Sequence, residues 1–75
     1  MDITFNNQIR VIAENIRKIR QYHGFSQKFV AEQLGISQNG YSKLESGAVN
    51  ITLGRLFEIA EILGVGIIDL ISDNF

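Results

Sequence analysis

Near the start of the chain, Ile9, Ile12, Ala13, Ile16 and Ile19 recur at steps of three and four. That spacing predicts the buried face of an α-helix from about Gln8 to Tyr22, with Arg10, Glu14, Arg17, Lys18 and Gln21 on the opposite face. Asn6 or Asn7 can cap its start, and Gly24 ends it, with Phe25 tucked under the turn. Before it, Ile3 and Phe5 alternate with polar residues, so residues 1–7 read as a short extended N-terminal arm, and residues 8–75 as the domain proper. A second apolar group, Phe29, Val30, Ala31 and Leu34, marks a short helix. Ser26 can cap it by accepting an early backbone N–H, and Gly35 can end it in the left-handed conformation. Ile36 then plugs into the core, Ser37 caps a third helix from Gln38 to Glu45, and Gly47 closes that one. Thr52 caps a fourth, Leu53 to Leu63, with Leu53, Leu56, Phe57, Ala60 and Leu63 as its buried stripe and Ile59 and Ile62 widening it. Gly54 weakens this helix by roughly 1 kcal/mol relative to alanine, which suggests a close backbone approach there. Beyond the turn Gly64-Val65-Gly66, a fifth helix runs from about Ile67 to Ser72.

Five helices and no strand make an all-α domain. The fifth helix is too apolar for its length. Ile67, Ile68, Leu70 and Ile71 leave only Asp69 polar among them, and with Phe75 they form a candidate self-association surface. The alternative is that they close the monomer core. At 75 residues with 45% hydrophobic content, the chain is one small domain of modest stability, and compositional disorder is excluded.

The absence of cysteine removes disulfides and cysteine-based metal sites. His23 is the single histidine, so no histidine cluster can hold a metal or serve a serine nucleophile. Gly64-Val65-Gly66 lacks the glycines and lysine of a phosphate loop. No enzyme and no cofactor are expected. No stretch approaches the roughly 18 apolar residues of a membrane span, and the N-terminus lacks the regions of a signal peptide, so a cytoplasmic protein without membrane contact is expected.

The net charge of −1 hides an asymmetry. Residues 8–43 carry six basic residues against Glu14 and Glu32, a net of +4. Residues 44–75 carry Arg55 against Glu45, Glu58, Glu61, Asp69 and Asp73, a net of −4. Such a split can orient a domain on a polyanion and leave an acidic half for a protein partner. The plainer alternative is charge scattered over solvated faces.

Helix, tight glycine turn, helix over residues 26–47 is the helix-turn-helix arrangement. Ser26-Gln27, Ala31, Leu34-Gly35-Ile36-Ser37 and Leu44-Glu45-x-Gly47 resemble the lambda-repressor-like (Cro/repressor, XRE-type) DNA-binding domains. The resemblance runs from about Ile16 to Ile71. It implies a five-helix lambda-repressor-like fold whose third helix, 38–45, enters the major groove of duplex DNA.

The resemblance also implies roles. Gln38 and Asn39 fall at base-reading positions, and their amides match the N6/N7 edge of adenine, a contact worth about 1–3 kcal/mol of discrimination. Lys43 is placed to reach a guanine edge or a phosphate. Gln27 is placed to bind a phosphate at the start of its helix, with Ser26 and Lys28 beside it. Ser42, Ser46 and Asn50 are further phosphate candidates. Arg20 and Glu45 are expected to form a partly buried structural ion pair that orients the third helix.

Three departures stand out. The loop Ala48-Val49-Asn50-Ile51 has no basic residue where many relatives carry one. Gly40 replaces the small side chain usual at its position, and Tyr41 replaces a buried aliphatic, with a hydroxyl that needs a partner. The expected function is sequence-specific DNA binding as a transcriptional regulator, a repressor acting as a homodimer on a palindromic operator. Phage repressor, restriction–modification controller and antitoxin-like regulator all stay open. The alternative is a protein-interaction module on the same fold that has lost DNA binding.

Overall fold

Three hydroxyls start three of the helices. Ser26 Oγ accepts the Phe29 N–H at 2.9 Å, Ser37 Oγ that of Gly40 at 3.0 Å, and Thr52 Oγ1 that of Arg55 at 3.1 Å. Gly35 and Gly64 then end α2 and α4 at positive φ. The computed structural model describes residues 3–72. These form α1 (Ile3–Tyr22), α2 (Gln27–Leu34), α3 (Gln38–Glu45), α4 (Leu53–Leu63) and α5 (Ile67–Ile71), with no strand among them.

The first helix departs from expectation. It begins at Ile3, so the stretch read as an extended arm is helical, and Asn6 and Asn7 lie inside the helix rather than capping it. Neither proline nor glycine interrupts residues 3–7, so nothing in the backbone opposes the extra turns. With 20 residues, α1 is about 30 Å long, close to the 33 Å longest dimension of the molecule.

It packs against α3, α4 and α5, while α2 packs against α3 and α4. Ile16, Val30, Tyr41, Ile59, Leu63 and Leu70 are the large side chains buried completely between them. Ile12, Phe25, Leu34 and Ile36 pack partly buried around that centre.

Several side chains read as core face outward. On α4 the buried set is Leu56, Ile59, Ala60 and Leu63, whereas Leu53 is 64% and Phe57 55% exposed. At 100° per residue, Phe57 sits more than a quarter-turn off the centre of that stripe. Phe29 on α2 is also exposed, its ring leaning on Phe25 at 4.8 Å. Space beside Gly54 is open, so no close backbone approach explains it.

The fifth helix divides its apolar residues. Leu70 is fully buried in the monomer, which removes it from the self-association surface, and Ile67 is partly buried against the core. Ile68, on the far side, is 67% exposed, and Ile71 is exposed as well. Phe75 lies outside the described residues.

One polar residue inside the apolar packing was not anticipated. Asn15 is buried, and its Nδ2 donates to the carbonyls of Leu70, at 3.0 Å, and Ser72. It ties the end of α5 to the middle of α1. The signal was available: position 15 falls three residues after Ile12 and four before Ile19, on the flank of the buried stripe.

Candidate nucleic-acid interface

The third helix owes its exposed polar end to two local choices. Ser37 caps it, which satisfies an early N–H without a bulky neighbour. Tyr41 and Leu44 then bury one side. That rotation leaves Gln38, Asn39 and Lys43 exposed on the other, with Ser42 half-buried. Gly40 is half-buried in the first turn, and a Cβ there would sit 3.2 Å from Ser37 Oγ, against the cap itself.

An ion pair fixes the helix from behind. Arg20 in the last turn of α1 donates from Nε to Glu45 Oε2 at 2.6 Å and from Nη2 to Glu45 Oε1 at 3.0 Å, and both side chains are buried. Arg20 Nη1 also donates to the Phe25 carbonyl at 2.8 Å, which binds the turn after α1 into the same network. Burial acts most strongly on Glu45 and alone would raise its pKa. The donors around it, Arg20 foremost, outweigh burial and hold the carboxyl below its ordinary range.

Tyr41 lies behind the same pair. Its hydroxyl is buried and has no hydrogen bond of acceptable geometry. Burial, with the Glu45 carboxylate nearby, pushes its pKa well up, so it stays neutral.

The candidate phosphate residues are engaged to different degrees. Gln27 Nε2 donates to Glu45 Oε1 at 3.1 Å, so its amide is held by the buried pair with one N–H remaining. Ser26 Oγ is committed to its cap, and Ser46 Oγ donates to the Lys43 carbonyl at 2.9 Å. Lys28 and Asn50 are exposed, as are the Gln38 and Asn39 amides. Among the described residues Arg10, Lys28 and Lys43 take part in no ion pair, whereas Arg17, Lys18, Arg20 and Arg55 all do.

The surface is therefore a clamped helix with a polar, amide-rich end, flanked by cations that no carboxylate among the described residues pairs with. It offers paired donors and acceptors to base edges and positive charge to phosphates. Among the described residues no cluster of histidine and carboxylate side chains could hold a metal ion, and no helix is long and apolar enough to cross a membrane.

Comparison with known proteins agrees with this geometry. The helix-turn-helix family model matches residues 16–70. An uncharacterised HTH-type transcriptional regulator, y4dJ of Sinorhizobium fredii (strain NBRC 101917 / NGR234), is 33% identical over 63 residues, covering 84% of this chain and 82% of that protein. The control protein C.SmaI of Serratia marcescens is 30% identical over 71 residues, 95% of this chain and 84% of that one. The SPbeta prophage-derived uncharacterised HTH-type transcriptional regulator YonR of Bacillus subtilis (strain 168) is 38% identical over 55 residues, 73% of this chain and 51% of its own. In fold, the chain is similar to the crystal structure of the clp gene regulator ClgR from C. glutamicum, with a TM-score of 0.80 at 22% identity, covering 84% of this chain and 82% of that one.

The chain belongs to the lambda-repressor-like, XRE-type helix-turn-helix family of DNA-binding transcriptional regulators. That is a family of regulators rather than enzymes.

Proposed function

We propose that this protein represses transcription as a homodimer on a palindromic operator, with α3 in the major groove. The observation that carries this reading is the exposed Gln38–Asn39 end of a helix held rigidly from behind by Arg20 and Glu45. Gln38 and Asn39 read base edges, and Lys43 reaches a guanine edge or a phosphate. Lys28, Asn50, Ser42 and the remaining Gln27 N–H position the backbone, aided by the first N–H groups of α2. Ser26 and Ser46 serve through their turns, since their hydroxyls are already engaged.

Dimer formation uses the exposed Ile68 and Ile71 of α5, with Ile67 at the edge. Two recognition helices then lie about 34 Å apart, one turn of DNA. The site of action is the DNA of the cytoplasm, and occupancy alone blocks polymerase.

Selection from a random duplex library at near-physiological salt tests the reading. A palindromic consensus, lost in the double variant Gln38→Ala/Asn39→Ala with nonspecific binding kept, is the expected result. Consensus retained by that variant overturns the base-reading assignment. A single half-site overturns the dimer.

A second reading is favoured by one observation: Leu53 and Phe57 add to the apolar surface of an acidic half. On that reading the fold is a protein-interaction module, and folded protein enriches no duplex at all.

A further inference from the structure

The loop after α3 carries no cation in its sequence, yet the structure brings one to it. A Cβ built on Gly47 would lie 3.8 Å from Arg10 Cγ and 4.0 Å from the Arg10 Cα. The first half of α1 thus runs directly beside the end of the recognition helix. Gly47 takes φ +77°, a conformation that favours glycine.

A cleft of about 420 Å³ lies between the two segments, lined by Arg10, Glu14, Glu45, Ser46, Gly47 and Ala48. A neighbouring cleft lines Arg10 with Val49 and Asn50. Both acids in the first cleft are taken. Glu14 holds Arg17 at 2.6 Å and Lys18 at 3.9 Å, and Glu45 holds Arg20 and Gln27. Arg10 is exposed and has no ion pair among the described residues. Among the described residues the cations without an ion pair, Lys43, Lys28 and Arg10, therefore sit on the recognition helix, on the helix before it and at the loop after it.

We propose that Arg10 is a DNA-phosphate contact that supplies, from α1, the positive charge the 48–51 loop lacks. It lies N-terminal to residues 16–70, which the family model matches. Its place on the first half of α1 sets it beside the loop. A guanidinium offers a fork to a phosphate and keeps its charge at any working pH. The assignment rests on α3 lying in the major groove, because that docking presents the following loop to the adjacent backbone.

The experiment is a salt titration of binding to a short fluorescent duplex of random sequence, by anisotropy, with folding checked by far-ultraviolet circular dichroism. Each phosphate neutralised contributes about −0.9 to the slope of log affinity against log salt. Arg10→Ala is expected to flatten the slope by about 1. The affinity ratio of wild type to variant then shrinks about threefold between roughly 50 and 200 mM salt. Arg10→Lys keeps the wild-type slope.

Lys18→Ala removes the same charge from the flank of α1 that faces Gly64 and Val65, and it also keeps the slope. If Arg10→Ala retains the wild-type slope, or Lys18→Ala flattens it equally, the Arg10 assignment is overturned while the groove reading stands. If folded wild type shows no salt-dependent binding, the groove reading itself fails and takes the Arg10 contact with it.

Discussion

Arg20 and Asn15 stand five residues apart on α1 and hold different helices. Arg20 grips α3 through two charged hydrogen bonds to a buried carboxylate, and Asn15 grips α5 through a neutral amide shared between two carbonyls. Both are buried and both cross the core. They differ in what failure leaves behind. Losing either half of the ion pair strands a charge in the interior, whereas losing the amide takes a neutral donor from the buried Leu70 carbonyl. The element that presents the candidate interface thus has the stiffer attachment.

Five changes break or sharpen this contrast. Glu45→Ala is expected to cost about 3–5 kcal/mol in chemical denaturation, because it leaves the Arg20 charge buried alone. Asn15→Ala is expected to cost about 1–3 kcal/mol, the penalty for removing the donor of the buried Leu70 carbonyl. The two sites also separate with pH. The folded pKa of Glu45 is lowered, so its contribution is complete above the ordinary carboxyl value of 4.5 and drains away as pH falls below it. Glu45→Gln is expected to lose that acid-sensitive part of the stability curve, and Asn15→Ala to keep it.

Gly54→Ala is expected to stabilise by about 1 kcal/mol, since the added methyl meets open space inside α4; a destabilised variant in thermal melts would refute this. The smallest effect belongs to Arg17→Ala. Its bond to Glu14 is as short as the buried one, 2.6 Å, but both side chains are over 40% exposed, and a change of about 0.5 kcal/mol or less is expected. Distance alone does not set the worth of an ion pair here.

The features that could be read from the chain were local ones. Ser26, Ser37 and Thr52 cap, and Gly35 and Gly64 stop, because each needs only its own neighbours in sequence. Apolar period identified α4 and α5 but not which of their apolar residues find partners. Phe57 and Ile68 satisfy a helical pattern and still face outward, because burial depends on what lies across the gap. Asn15 was hidden by its polarity and Arg10 by its distance in sequence from Gly47. Both make contacts that close only when α1 meets the far end of the chain or the loop after α3. Gln38 and Asn39 were placed by resemblance and Lys43 by its position further along the helix, and the fold leaves all three on the surface.

The five-residue length of α5 has a kinetic consequence. A helix so short has no lasting existence in water on its own. Its persistence is the persistence of the Leu70 contact and the Asn15 amide. The amide hydrogens that close α5, such as that of Ser72 on the Ile68 carbonyl, therefore exchange with solvent through a local detachment that α2 and α3 do not share. A repressor dimer seated on Ile68 and Ile71 would damp that breathing, so slower exchange over 67–72 would register assembly residue by residue.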